Sequence, residues 1–485
     1  MVMGGCSGSA STGTGTEVVS SDSAVSEGAG AEFGNSESGK NSGNTEAGAG
    51  ENSKSESGVA QGTSGTSSST LLDTSDMFSD RDMEQEADLS DAQYITLEDG
   101  KDVTIDSEGV YVIQGSAKDA SIIVEAADTA KVQLVLDGVS ITNEDSPAIY
   151  VKSADKVFVT TTGDNTLTVT GTFTSDGTTN TDAVIFSKDD ITFSGTGTLT
   201  ISSTSNGISG KDDVKFTGGT YKIDSVEDAI EAKDSVRICD GSFTIKSEKD
   251  GIHSEDSDDD TKGFIYISGG DINIDVEADG IQATTVLMVD GGTINVSARE
   301  CFEGTYVQIN GGEINLYGND DGINASNKSD SYTTTIEING GSLTIEMASG
   351  DTDALDSNGN LYINGGTVNI TAQFAFDFDG EAALNGGTVT VNGEEVTEIE
   401  DSMFGSNGGP GGQGFGGQGG PGGRGGQGNS DGQGFGGGNP PEGFDGENPP
   451  EMPEGFDPDN LPEGFDGGNP PEKPDGTNGT APTTK

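Results

Sequence analysis

Leu361-Tyr-Ile-Asn-Gly-Gly-Thr-Val-Asn-Ile370 decides the fold of this 485-residue chain, because its pattern returns through the middle of the sequence. Written as apolar, any, apolar, polar, Gly, Gly, any, apolar, any, apolar, it recurs over 214–223, 265–274, 287–296, 307–316, 336–345 and 382–391. A variant over 236–245 carries Asp240-Gly241 in place of the glycine pair. Each copy reads as two short strands of period two, hinged at glycines that take positive φ without strain. A second marker is an acid followed by a small and an apolar residue. It occurs as Asp228-Ala-Ile230, Asp250-Gly-Ile252, Asp279-Gly-Ile281, Asp321-Gly-Ile323 and Asp353-Ala-Leu355, with Asn206-Gly-Ile208 and Glu300-Cys-Phe302 as variants. Its middle residues stand at 207, 229, 251, 280, 301, 322 and 354, giving steps of 22, 22, 29, 21, 21 and 32. The base period is therefore 21 to 22, and the two long steps hold insertions over 254–262 and 326–332.

A fixed period of this length means a solenoid. Helical patterning is absent, which disfavours leucine-rich and ankyrin stacks, and a propeller blade would need a period near 40. Upstream, Tyr94-Ile-Thr-Leu97, Val103-Thr-Ile105, Val110-Tyr-Val-Ile113, Ser121-Ile-Ile-Val124 and Val132-Gln-Leu-Val-Leu136 follow one another as short β-rich runs punctuated by Gly and Asp. Parallel strands ordinarily need a long crossover, but a coil that winds short strands sets each above its predecessor with bends alone. The reading is all-β: one single-stranded right-handed parallel β-helix over 90–402, in rungs of about 22 residues.

The flanks differ in composition. Residues 1–89 are rich in Ser, Gly, Thr and Glu, with few large apolar residues, and read as a disordered tether. Met1-Val-Met-Gly-Gly-Cys6-Ser resembles the end of a bacterial lipoprotein signal closing on an acylated Cys6, without the upstream charged and apolar regions that direct export. That places the protein on the outside of a Gram-positive cell, with a lipid at Cys6 as its link to the membrane. Residues 403–485 are dominated by Gly and Pro, with Pro-Glu-Gly-Phe-Asp at 441–445, 453–457 and 462–466, and have no core to bury.

A formal net charge of -62 excludes nucleic acid and anionic membrane surfaces as partners. It fits a soluble monomer, and it fits carboxylates gathered to hold divalent cations. Three cysteines make no disulfide framework, and Cys239 and Cys301 sit at polar or small positions as fillers.

In a coil, equivalent residues of successive rungs stack about 4.8 Å apart, so repetition becomes a ladder. Asp228, Asp250, Asp279, Glu300, Asp321 and Asp353 fall in one column, and three residues on lie Glu231, His253, Gln282, Glu303, Asn324 and Asp356. The apolar residue between them points inward, so the second column faces out. Two oxygen-rich columns suit Ca2+, with Asp228, Glu231, Asp250, Asp279, Glu300, Glu303, Asp321, Asp353 and Asp356 as candidate ligands. The plainer reading is that an acid at a repeated bend accepts backbone N–H bonds and holds the turn. Asn310, Asn339, Asn364 and Asn385, before the glycine pairs, read as a structural amide ladder. His253 is the sole histidine, so two-histidine zinc sites are excluded, and it reads as an exposed member of the outer column. No phosphate loop or nucleotide fingerprint appears, since the Gly-Gly pairs lack a following helix.

The runs Gly109-Val-Tyr-Val-Ile-Gln-Gly115, Val132-Gln-Leu-Val-Leu-Asp-Gly-Val-Ser-Ile-Thr142, Pro147-Ala-Ile-Tyr-Val-Lys-Ser-Ala-Asp-Lys156 and Gly207-Ile-Ser-Gly-Lys-Asp-Asp213 closely resemble the clostridial carbohydrate-binding β-helix family, relatives of the pectate lyases of polysaccharide lyase family 9. So does Lys262-Gly-Phe-Ile-Tyr-Ile-Ser-Gly-Gly270 with Ala278-Asp-Gly-Ile-Gln-Ala283, the likeness covering roughly 90–395. The resemblance implies a secreted or surface-attached, calcium-containing β-helix that binds cellulose or polygalacturonate. The chain has no Trp, so Tyr221, Tyr266, Tyr306 and Tyr362 are left as rings for stacking. Acidic sugars would be repelled unless Ca2+ bridges the two sets of carboxylates, which favours pectate slightly.

Three functions follow. The first is non-catalytic, calcium-dependent polysaccharide binding. The second is a calcium-dependent pectate lyase whose base is Lys211, Lys233 or Lys249, lysines near the acid column whose acidic neighbours would raise rather than lower their pKa. The third is a surface adhesin or scaffold.

Overall fold

The chain divides into two compact units, Met1–Gly412 and Gln413–Lys485. The computed structural model describes residues 71–350 and 352–400, all within the first. Cys6, the tether up to residue 70 and the tail over 403–485 lie outside the described residues. Among those described there are 30 strands in one hydrogen-bonded sheet and no helix, as the sequence implies. The strand runs read upstream appear as Gln93–Thr96, Val103–Ile105, Gly109–Lys118, Ile122–Glu125 and Lys131–Asn143. Every named ladder is parallel except Thr388–Val391 against Glu394–Val396, close to the end of the described chain.

Register explains how the decapeptides build this sheet. Their first residues pair in one succession, Val214 with Val236, then Ile265, Leu287, Val307, Ile336, Leu361 and Ala382. The chain therefore returns to pair with itself one coil on. Each glycine of a pair answers a different demand. A Cβ on Gly365 would lie 2.4 Å from the carbonyl oxygen of Asn339 on the preceding coil, while Gly366 sits at φ +84°. The first position cannot hold a side chain, and the second needs a conformation that L residues avoid.

The inward residues form one continuous apolar core from Leu97 to Val389. Ladders of identical geometry stack rings: Phe193 lies on Phe216 at 4.9 Å, and Tyr221 on Phe243 at 5.0 Å. Tyr221 is thus a core residue, its hydroxyl donating to Gly218 O at 2.6 Å, and is not available to a sugar. It occupies the inward slot after the glycine pair, where the other copies carry Ile, Leu, Phe or Val.

The reading of 1–89 as tether is corrected at its C-terminal end, where the described segment from residue 71 lies along the coil. Met77 is buried with Tyr266, Val286 and Met288, with Leu71, Leu72 and Phe78 packed against them. The guanidinium of Arg81 stands 4.2 Å over the Phe158 ring. Asp82, 1 % exposed, pairs with Lys156 at 2.7 Å and accepts from Thr192 at 3.0 Å. Gln85 donates to Thr217 O at 2.8 Å and accepts from the Gly195 N–H at 2.9 Å. Averaged over 89 residues the composition has no core, but its few large apolar side chains and one matching carboxylate are concentrated here.

Candidate functional site

The two columns read from the sequence are present in register. Glu231, His253, Gln282, Glu303, Asn324 and Asp356 pair successively, and the series continues upstream to Ser209 and downstream to Asp377. In the first column Glu300 pairs with Asp321, and Asp321 with Asp353. The upper acids are tied coil to coil by backbone. Asn206 Oδ1 accepts the N–H of Asp228 at 2.9 Å, Asp228 Oδ1 that of Asp250 at 3.2 Å, and Asp250 Oδ1 that of Asp279 at 2.9 Å. Turn-holding is therefore real, but it uses one oxygen of Asp228 and one of Asp250 and reaches the next coil instead of its own bend.

Three clusters have ligand atoms within 4.8 Å of one another: Asp228, Asp250 and His253; Asp279, Glu300 and Glu303; Glu300, Asp320 and Asp321. His253 is not exposed as expected. Its Nδ1 lies 3.0 Å from Asp228 Oδ2 and 3.8 Å from Asp250 Oδ2, with 16 % of the side chain accessible. Burial opposes its protonation, but the bond to Asp228 and the carboxylates of Asp250 and Glu231 hold its pKa above the ordinary value. Protonated, this ring would do locally what a cation would do.

The middle cluster is the most enclosed, with Asp279, Glu300 and Glu303 all buried. Burial and the charges of Glu300 and Asp250 push the Asp279 carboxyl up to about 7, and burial with Glu303 raises Glu300. Glu303 moves the other way: burial is outweighed by Lys328, whose ammonium stands 2.8 Å from Oε1, and by Gln282 and Ser326. Further along, burial and the carboxylates of Asp356 and Glu300 push Asp321 up to about 8, and burial with Asp377 takes Asp356 to about 6. Next to Asp321, Asn324 donates to Glu300 Oε2 at 2.9 Å, while its own Oδ1 is buried without a hydrogen-bond partner. Apart from His253, the donor set is hard oxygen throughout.

Several participants escaped the sequence reading. Arg299 donates to Asp279 Oδ1 at 2.8 Å, to Asp320 Oδ2 at 2.9 Å and to Glu300 Oε1. It was findable, since Arg299 and Asp320 each precede the column acid of adjacent coils. Lys328 arrives from the second insertion, whose path no repeat dictates. The insertions meet, Ser329 donating to Asp260 O at 3.3 Å, so they share one side of the coil. The lysines proposed as a base are placed otherwise than a base requires. Lys211 is bonded to Glu231 at 3.0 Å, Lys233 is raised by its bond to Asp258 and by Asp256, and Lys249 is exposed.

The remaining motifs are structural. Asn339, Asn364 and Asn385 each donate to the preceding Asn of the ladder at 2.8 Å. Cys239 and Cys301 are buried and form no disulfide, and burial pushes the Cys301 thiol up to about 12. Tyr266, Tyr306 and Tyr362 direct their hydroxyls to Asp290, Glu337 and Glu381.

Fold and site together define an all-β protein of stacked parallel coils with buried acids ranked along one side. Residues 99–305 and 300–401, more than half of the chain, match the family described as carbohydrate-binding domain-containing protein, and the chain belongs to that family. A carbohydrate-binding domain-containing protein of Acetivibrio thermocellus is 40 % identical over 124 residues, 24 % of this chain and 43 % of the relative. The match thus spans less than half of that relative's length. A solved polysaccharide lyase-like protein of C. thermocellum, a gadolinium derivative, is 23 % identical, covering 61 % of this chain and 96 % of its own, with a TM-score of 0.36.

Proposed function

We propose that this chain is a non-catalytic, calcium-dependent carbohydrate-binding protein of the bacterial cell surface, held by a lipid at Cys6 and acting as a monomer. Its coil is read as a right-handed parallel β-helix, the hand that parallel crossovers take almost without exception. The ligand is a plant-type polysaccharide, pectate or polygalacturonate ahead of cellulose.

The observation that carries this reading is the crowding of buried carboxylates in register, with Asp279 and Asp321 pushed up to about 7 and about 8 by burial and by like charges. Carboxyls pushed up this far face more like charge than Arg299 offsets, and the orphaned Asn324 Oδ1 adds a neutral oxygen to the column. Ca2+ takes six to eight such oxygens. Asp279, Glu300 and Glu303 would hold one ion, and Glu300, Asp320 and Asp321 compete for a second. Bound Ca2+ would supply the charge that joins these acids to a uronate carboxylate. Arg299 and Lys328 already neutralise part of the column and orient Asp279 and Glu303. A lyase needs a lysine of lowered pKa, and Lys233 is shifted in the opposite direction.

The test is retention of the full-length protein on polygalacturonate and on cellulose, with calcium and with a chelator. Retention on polygalacturonate that the chelator abolishes, without ultraviolet-absorbing unsaturated product, is the expected result. Product would establish a lyase, and absence of retention on any polysaccharide would leave the scaffold.

A further inference from the structure

The outer face of the strands that follow the glycine pairs carries a different chemistry from the acid columns. Asn273, Asn295 and Asn315 stand in one register column. Asn315 donates to Asn295 Oδ1 at 2.9 Å, Asn295 to Asn273 Oδ1 at 2.9 Å, and Asn273 to Asp271 Oδ1 at 3.0 Å. Each side-chain amide is thereby fixed in orientation; Asn273 spends both N–H groups, the second on Phe243 O at 3.4 Å, while Asn295 and Asn315 each keep a second N–H and a second lone pair for a ligand. Two residues on, and so on the same face, Asp275, Ser297, Tyr317 and Glu346 make the adjacent column. The two columns floor a groove of about 420 Å³. Tyr317 is 45 % exposed there, whereas Tyr221 is in the core and Tyr266 is buried.

We propose that this groove is a glycan-binding subsite, distinct from the acid columns, that takes a neutral chain of β-linked pyranose residues with one ring stacked on Tyr317. It rests on the reading of the protein as polysaccharide-binding and assigns a place and a ligand class within it. A pyranose ring offers an apolar face of C–H groups to an aromatic platform and equatorial hydroxyls at its rim. Asn315, Asn295 and Ser297 present donors and acceptors beside that platform at the spacing of successive strands, about 4.8 Å. A chain lying across the coils would meet one fixed amide per coil. Charge selects against uronates. Lys246 is outnumbered by Asp275 and Glu346 in the lining, and none of the three cation-competent clusters includes a groove residue. An acidic glycan would meet net repulsion here with nothing to bridge it.

The experiment measures depletion isotherms of the full-length protein on microcrystalline cellulose at constant calcium, with polygalacturonate in parallel. Tyr317→Ala is expected to weaken cellulose binding about tenfold, while Tyr317→Phe, which keeps the ring, stays within about twofold. Asn295→Leu with Asn315→Leu should weaken it too, and all three variants should hold polygalacturonate as the parent does. Parent-like cellulose binding by both Tyr317→Ala and the double leucine variant would overturn the groove and leave the polysaccharide reading intact. So would a parent protein retained on polygalacturonate alone. No retention of the parent on either polymer would overturn both. Thermal unfolding of Tyr317→Phe and Tyr317→Ala at the same temperature verifies that folding is unchanged.

Discussion

Asp82 shows how one side chain can tie an upstream segment to a solenoid. Its carboxylate is 1 % exposed and faces Lys156, itself buried, at 2.7 Å. Burial alone would raise its pKa, but Lys156 and the hydroxyl and N–H of Ser79 pull it down to about 2. A depressed acid contributes stability above its unfolded pKa, about 3.9, and loses it as pH falls through the folded value. The strap contact should therefore weaken between about pH 4 and pH 2, whereas neutral and alkaline pH leave it intact. Asp82→Ala strands a buried ammonium, which costs about 3–5 kcal/mol when such a pair is broken on one side. We expect a lower urea midpoint and faster proteolysis after Arg81 at pH 7; an unchanged midpoint would mean the strap contributes nothing. No period is legible here, because a single salt bridge to a distant coil leaves no repeating signal.

At the scale of the element, the acid column behaves as one electrostatic unit. Asp321, pushed up to about 8 by burial and by Asp356 and Glu300, has a folded pKa above its unfolded one. Its contribution is complete below the unfolded pKa and is lost as pH rises through about 8, so the metal-free column weakens from acid toward alkaline pH. Bound calcium, as proposed, would reverse this by taking the place of the protons. Two consequences can be measured together. Calcium added near pH 7 should release protons, seen calorimetrically as a buffer-dependent heat, and should raise Tm more at pH 8 than at pH 5. Asp321→Asn should stabilise the metal-free protein by about 1 kcal/mol through relief of like-charge repulsion, yet shrink the calcium-induced rise. A variant that loses stability without calcium and keeps the full rise would remove Asp321 from the cation site. Column membership was legible in the sequence, since a recurring tripeptide marks the same slot on every coil even where an insertion lengthens the step, and the slot fixes its neighbours. The partners were less so: Arg299 lies in a repeat position and could be inferred, but Lys328 reaches Glu303 from an insertion whose course depends on tertiary packing.

At the largest scale the described coils form a one-dimensional stack, and this is why so much of their architecture was readable from spacing. Strand starts, the amide ladder over Asn310 and Asn385 and the two acid columns follow from one repeat, because each coil packs only on its neighbours. What periodicity missed was direction and context. Tyr221 reads from the sequence as a stacking ring although its slot is inward, while Tyr317, at an outward slot, carries an exposed one. If nearest-neighbour packing dominates, removing one whole coil should cost one interface and preserve the rest. Excising 280–300 joins Asp279 to Cys301, so that Cys301 takes the place of Gly280 and Phe302 that of Ile281, the residue it already pairs with. Strands on either side then meet in register, Ile272 of one coil facing Ile314 of another as each faced Ile294 before. Excising 290–300 removes half a coil, puts Phe302 and Glu303 in the slots of Gly291 and Gly292, where a Cβ at 291 would lie 2.7 Å from Ser268 O, and sets inward Ile314 opposite outward Gln282, a slip that a period of two does not tolerate. The 21-residue excision should keep a β-type circular dichroism spectrum and cooperative urea unfolding, and the shorter one should aggregate. Equal tolerance of both would show that the coils are not held by register, and equal failure that stability is shared across the stack instead of between neighbours.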